Sequence, residues 1–275
     1  MQEPSYPIPI VLVIGGHDPS GGAGIQADIE AVAANGAHAV SVITTLTVQD
    51  SCDVQALHPV PAETIAAQAN ALFADSPIAA IKIGLLGSPE AAKTVVDLLA
   101  THRNIPVVLD PVLAAGGGSR LAGDRILALL REMLPMCDLI TPNTHEAHRL
   151  CDSDDSDAME ACAKQLQALG AQSVLITGTH ERVEDPQITH RLFLSEGSVS
   201  SSQCQRLPGE YHGSGCTLAS AIAARLAHGE PVQKAVANGL DYSWQSLSHG
   251  FRTGRCQSLP DRLYSLQRRD SDEDE

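Results

Sequence analysis

The sequence predicts an α/β fold, in which a central, mostly parallel β-sheet carries helices on both faces and an antiparallel hairpin at one edge. Three observations lead there. Short β-branched apolar runs alternate with longer alanine-rich runs, the strand–helix repetition that a parallel sheet requires. The strand runs are continuously apolar, as strands buried on both faces must be. Late in the chain, residues 189–194 and 198–207 meet across Glu196-Gly197 with no helix between them, which reads as a hairpin.

The elements follow in order. Residues 8–14 form a buried strand ended by Gly15-Gly16, and a glycine-rich loop over 17–24 precedes a helix over 25–35 stopped by Gly36. A second strand spans 39–45 and runs on through 46–49, with a short outer strand at 54–58. A helix over 61–75 has proline near its start, a strand covers 78–83, and Ser88-Pro89 opens a helix to about residue 102 as N-cap and first helical residue. Strands at 106–109, 139–141 and 173–176 alternate with helices at 124–134, 143–150 and 155–169. After the hairpin come an alanine-rich helix from about 214 and a last helix over 231–248. Residues 1–267 read as one domain, and the charged, apolar-free stretch 268–275 as a disordered tail.

Composition narrows the partners. A formal net charge of −15 argues against nucleic acid and anionic membrane, while leaving room for a small phosphorylated ligand held in a local anion site. The 7 cysteines are odd in number and lack a Cys-x-x-Cys pair, which suits reduced thiols in a cytoplasmic protein. Neither a signal peptide nor a membrane span is expected.

The chemistry concentrates at Tyr211-His212-Gly213-Ser214-Gly215-Cys216-Thr217-Leu218. Two glycines flanking a serine just ahead of a strong helix former present free N–H groups with a helix dipole behind them, a place for negative charge. Cys216 falls in the first helical turn, where its pKa is expected to be drawn down and a thiolate favoured. The plainer alternative is a common turn and an inert packing cysteine.

In a parallel sheet the site lies at the carboxyl ends of the strands. Asp110 ends one strand; Asn143 and Glu146 follow another; Gly16, Gln49 and Gly84 sit at or just beyond such ends. Asp110, Asn143 and Glu146 offer the hard oxygen ligands that Mg²⁺ takes, although Asn143 and Glu146 fit a helix-capping box equally well. An anion hole, a pair of acids and a candidate base on one rim are the parts that phosphoryl transfer from a nucleotide needs. The loop at 15–24 is neither a Walker A loop nor Gly-x-Gly-x-x-Gly. Asp28, one turn into the next helix, either reaches back to a ligand hydroxyl or is a solvated surface acid. His145 and His148 stand three apart instead of four, so no zinc is expected.

Five segments in this order carry a family resemblance: Asp18-Pro19-Ser20-Gly21-Gly22-Ala23-Gly24-Ile25-Gln26-Ala27-Asp28, Lys82-Ile83-Gly84-Leu85-Leu86-Gly87, Leu109-Asp110-Pro111-Val112, Thr141-Pro142-Asn143-x-x-Glu146-Ala147 and His212-Gly213-Ser214-Gly215-Cys216-Thr217-Leu218. Together they resemble the hydroxymethylpyrimidine/phosphomethylpyrimidine kinases of thiamine biosynthesis, within the ribokinase-like superfamily. The resemblance implies a three-layer ribokinase-like fold, ATP as co-substrate, Mg²⁺, a homodimer, and phosphorylation first of 4-amino-5-hydroxymethyl-2-methylpyrimidine and then of its monophosphate. It implies that Gln49 holds the pyrimidine edge, Asp28 meets its amino or hydroxymethyl group, and Gly16, Leu85 and Val112 line the pocket. Asp110 and Glu146 would attend Mg²⁺ and the phosphates, Asn143 and Thr177 the nucleotide. Cys216 would be the base, with Gly213, Ser214 and Gly215 completing the anion hole. Three departures stand out: Thr177 where many members carry lysine, Leu85 in place of methionine, and an unusual loop over 115–119. The rival readings are a pyridoxal kinase-like vitamin B6 kinase and a non-catalytic pyrimidine binder.

Overall fold

The computed structural model describes residues 8–114, 121–151, 159–179 and 184–266. The proposed tail at 268–275 and the unusual loop at 115–119 lie outside the described residues. Nine strands form a single sheet in the order β3-β2-β1-β4-β5-β6-β7-β8-β9. In chain order the elements are β1 (Ile10–His17), α1 (Gly24–Ala34), β2 (His38–Gln49), β3 (Val54–Pro59), α2 (Ala62–Asp75), β4 (Ile78–Ile83), α3 (Pro89–Thr101), β5 (Val107–Leu109), α4 (Asp124–Met133), β6 (Leu139–Ile140), α5 (Thr144–Cys151), α6 (Met159–Ala168), β7 (Ser173–Ile176), β8 (Gln187–Phe193), β9 (Val199–Gln205), α7 (Ser214–Ala227) and α8 (Val232–Ser248).

The six strands from β2 to β7 across the sheet run parallel. The late hairpin is antiparallel, as expected. The opposite edge is antiparallel too, because β2 reaches β3 through only a tight turn and a parallel return needs a long crossover. Side chains alternate across the sheet. Leu12, Ile14, Ile81 and Ile83 face the layer of α2 to α6, whereas Val11, Val13, Ala80 and Val108 face α1 and α7. Helix α3 starts as the sequence indicates, with Ser88 Oγ accepting the Ala91 N–H at 3.0 Å.

From β1 the chain moves outward to β2 and β3, then returns to place β4 on the other side of β1. A crevice therefore opens beyond the carboxyl ends of β1 and β4, where a doubly wound sheet binds its ligands. After α8 the chain comes back across this rim: Phe251 pairs with Leu259, and Ser258 with Tyr211.

One expectation fails here. Cys52 and Cys256 are joined in a disulfide, while Cys137, Cys151, Cys162, Cys204 and Cys216 are free. The two partners are 204 residues apart, so spacing gives no hint of them. The return of the C-terminal segment over the β2–β3 turn brings them together.

Candidate active site

Helix α7 begins where the sequence places it. Gly213 caps it in the left-handed region at φ +79°, which only glycine adopts without strain, and a side chain there would strike the Gly22 carbonyl. Gly215, in the first turn of α7, sits beside Asp110: a Cβ on it would lie 3.6 Å from Asp110 Oδ1. The helix tip and the strand-end acid share one rim.

Asp110, at the end of β5, is buried, and its Oδ2 has no hydrogen-bond partner. Burial raises its carboxyl above the usual range; nearby Asp28 adds to this, while Lys82 and a hydrogen bond from Cys216 oppose it. Asn143 and Glu146 do form the capping box: the Asn143 N–H reaches Glu146 Oε2 at 2.9 Å, and the Glu146 N–H reaches Asn143 Oδ1 at 2.9 Å. The box does not displace the acid role, because the same geometry turns Glu146 toward Asp110. Burial first, and the Asp110 charge second, push the Glu146 carboxyl up to about 8.

Cys216 corrects the sequence reading. Its thiol is pushed up to about 12, not down. Burial is the largest cause, and the Asp110 and Asp28 carboxylates add to it, against Lys82 and a hydrogen bond from the Gly24 N–H to the sulfur. The helix dipole is a partial charge at best, and here it competes with desolvation and two acids.

Asp28 is not a surface acid. Its Oδ1 accepts from Lys82 Nζ at 2.6 Å and from Ser220 Oγ at 2.7 Å, all buried, while Oδ2 has no partner and lies beside Gly15. Burial alone would lower the Lys82 pKa, but Asp28 foremost, then Cys216 and Asp110, hold it above the ordinary lysine value. Sequence reasoning missed Lys82 as a site residue. The signal was present, since a lone lysine in the apolar strand Ile78–Ile83 demands a buried acid partner.

A second missed pair is Asp18 with His212, whose Nε2 lies 2.8 Å from Asp18 Oδ2. Asp18 also accepts the N–H groups of Ser20 and Ala23, each at 2.8 Å. Burial would raise this carboxyl, yet hydrogen bonds from His212 and Ser20 hold it well below the usual range. The glycine-rich loop is therefore a ligated turn, not a slack one.

All these groups line a single cavity of about 1280 Å³. Gly16, Gln49, Leu85 and Val112 line it near β1, β2 and β4, while Asn143 and Thr177 line it farther along the sheet. Thr177 is seated by its N–H on the Pro142 carbonyl at 3.0 Å. The volume exceeds the roughly 300–1,000 Å³ of ordinary small-molecule pockets, enough for two ligands side by side. Among the described residues no cluster of three or more His, Cys, Asp and Glu could cage a metal. The donor set instead suits Mg²⁺, which takes one or two carboxylates and completes its shell with water and phosphate. The unpartnered Asp110 Oδ2 is the atom that would be free to bind it. Glu146, whose oxygens already accept the N–H groups of Asn143 and Leu113, fits a role through water.

Known proteins resemble this chain in sequence and in fold. The phosphomethylpyrimidine kinase family profile matches residues 18–260. The chain is 38% identical over 250 residues to the hydroxymethylpyrimidine/phosphomethylpyrimidine kinase of Haemophilus influenzae, covering 89% of this chain and 93% of that one. The Bacillus subtilis pyridoxal kinase in its ADP complex superposes with a TM-score of 0.86 at 27% identity, over 94% of this chain and 99% of the other. The phosphomethylpyrimidine kinase of Clostridium difficile does so at 0.75 and 31% identity, over 87% and 99%. Fold, rim acids and glycine-capped helix thus converge with sequence similarity: the chain belongs to the phosphomethylpyrimidine kinase family.

Proposed function

We propose that the cleft between the tip of α7 and the ends of β1, β4 and β5 is where this kinase of thiamine biosynthesis moves the γ-phosphoryl group of ATP onto hydroxymethylpyrimidine and then onto its monophosphate. The observation that carries this reading is the placement of Gly215, at the tip of α7, beside Asp110, whose Oδ2 has no hydrogen-bond partner.

The pyrimidine lies against Gly16, Leu85 and Val112, with Gln49 on its edge and Asp28 Oδ2 accepting from its amino or hydroxymethyl group. Lys82 and Ser220 hold Asp28 oriented. The nucleotide extends past Asn143 and Thr177. Asp110, with Glu146 through water, would hold Mg²⁺, whose positive charge would offset that of the phosphates and the acids. The hydroxymethyl oxygen attacks the γ-phosphorus in line, and the N–H groups of Gly213 to Cys216 meet the charge on the equatorial oxygens. Cys216 accepts the hydroxymethyl proton. Its resting state is the thiol, so the thiol proton leaves first to water in the cleft, and the thiolate that remains takes up the hydroxymethyl proton. A loose transition state asks little of that base.

A homodimer is part of the proposal, supported by the exposed apolar Leu46 and Val48 on β2. No helix among the described residues is long and apolar enough to cross a membrane. The fold match to a pyridoxal kinase favours one second reading, phosphorylation of pyridoxal, whose ring also bears a hydroxymethyl group. Turnover of pyridoxal measured against the pyrimidine discriminates the two.

The site assignment is tested with Cys216→Ala. It should lower kcat by about 10²-fold or more, the share of a positioned base, with pyrimidine affinity within a few-fold. Turnover that survives nearly intact would remove Cys216 from the reaction.

A further inference from the structure

Arg262 lies in the C-terminal segment, just past the residues 18–260 that match the family, and is 2% exposed. Its guanidinium spans two parts of the cleft wall. Nε donates to Thr217 Oγ1 at 2.9 Å, in the first turns of α7. Nη1 donates to the Gly21 carbonyl at 3.3 Å and to Glu30 at 3.0 Å, and Nη2 donates to the Gly22 carbonyl. Thr217 Oγ1 passes the contact on, donating to the Gly213 carbonyl at 2.8 Å. The Tyr242 hydroxyl donates to the Arg262 carbonyl at 2.9 Å and so anchors the residue to α8.

The bound segment matters to the chemistry. In the loop over 21–24 the Ala23 carbonyl takes the Ala27 N–H at 3.4 Å at the start of α1, whereas the Gly21 and Gly22 carbonyls, which need donors once buried, find theirs in Arg262. The same loop delivers the Gly24 N–H to the Cys216 sulfur and packs Gly22 against Gly213. Reacting groups must be held to fractions of an ångström, and a shift of about 1 Å can cost 10²-fold in rate.

We infer that Arg262 is a positioning residue for phosphoryl transfer: by tying Gly21 and Gly22 to Thr217 it holds the glycine loop against the tip of α7, and so fixes Cys216 and the N–H groups of the anion hole. The inference rests on the reading of that tip as the transfer site. Lysine cannot substitute, because a compact ammonium lacks the planar fork that reaches a hydroxyl, two carbonyls and a carboxylate in diverging directions. Glu30 is half-exposed and only completes the shell.

The test is steady-state kinetics of Arg262→Ala, Arg262→Lys and Glu30→Gln beside Cys216→Ala, each with its melting temperature. Arg262→Ala should lower kcat by roughly 10- to 100-fold while KM for pyrimidine and ATP stays within a few-fold. Arg262→Lys should recover little, and Glu30→Gln should leave kcat nearly unchanged. Millimolar guanidinium ion should restore part of the kcat of Arg262→Ala and none of that of Cys216→Ala. A folded Arg262→Ala with near-normal kcat overturns the inference, as does a loss confined to KM. Should Arg262→Ala not fold, Arg262→Lys with near-normal kcat overturns it equally. A Cys216→Ala enzyme that still turns over would instead sink the reading of the site, whatever Arg262 does.

Discussion

Four ionisable side chains, Asp28, Lys82, Asp110 and Cys216, influence one another beneath the tip of α7, with one fixed cation among two acids and a thiol. This balance explains why the helix-start argument for a thiolate misjudged Cys216: it counted the dipole and left out burial beside two acids that only the fold assembles. Lys82, by contrast, was missed although its signal was present, since an apolar strand does not carry a lysine inward without a partner. Glu146 gives the sharpest titration. Its carboxyl ordinarily ionises near 4.5 and in the fold near 8, so across that window the fold keeps a proton the unfolded chain has released. Its contribution to stability is full below the lower value and is lost as pH rises through the upper one. On the proposed reading, Mg²⁺ at these acids would compete with the same proton. The melting-temperature gain on adding Mg²⁺ should therefore be larger above pH 8 than near pH 6, and Glu146→Gln should flatten the difference. An equal gain at both pH values would separate Glu146 from the cation.

Helix α7 is where element packing meets function, since its first turn is the proposed anion hole and its body is buried between the sheet, α1 and α8. The seat on α8 is cut close: a Cβ on Gly239 would come within 2.6 Å of Ile222 Cγ1. Gly239→Ala brings two opposed effects, a helix-propensity gain of up to about 1 kcal/mol and an overpacking cost of about 1–3 kcal/mol. Overpacking wins, because the contact is with a branched side chain held in a core. A net loss of about 1–2 kcal/mol in urea unfolding is expected, with partial recovery when Ile222→Val is added. A stabilised Gly239→Ala would show that the two helices part freely. Most elements at this scale were legible. The strand at residues 78–83 and the helix opened by Ser88-Pro89 carry their own run lengths and caps. The direction of β3 was not assigned, because Val54–Pro59 reads as an outer strand in either sense until its short link from Gln49 is considered. Gly239 was invisible as a packing glycine, since its partner lies on another helix.

At the scale of the whole molecule, the sheet sets the crevice and the C-terminal segment closes it from outside, fastened at two ends. One end is Arg262 on the glycine loop. The other is Cys256, bonded to Cys52 in the turn after Gln49, with the Gln257 N–H on the Ser51 carbonyl at 3.1 Å. Neither fastening was legible, because each joins residues more than 200 positions apart with no motif between them. The two ends should fail differently. Opening the disulfide removes a cross-link between residues 204 positions apart, and loss of a native disulfide typically costs about 2–5 kcal/mol. It should also loosen the turn beside Gln49, on the proposed pyrimidine side of the cleft, while Arg262 still holds the proposed phosphate side. Cys256→Ser, or reduction of the wild type, should lower the urea midpoint and raise KM for the pyrimidine several-fold with kcat nearly unchanged, the reverse of the split expected from Arg262→Ala. Cys204→Ser, which removes a free thiol, should do neither. If Cys256→Ser lowers kcat and spares KM, the two fastenings act as one clamp, and the division of the cleft into a substrate side and a phosphate side along this segment is wrong.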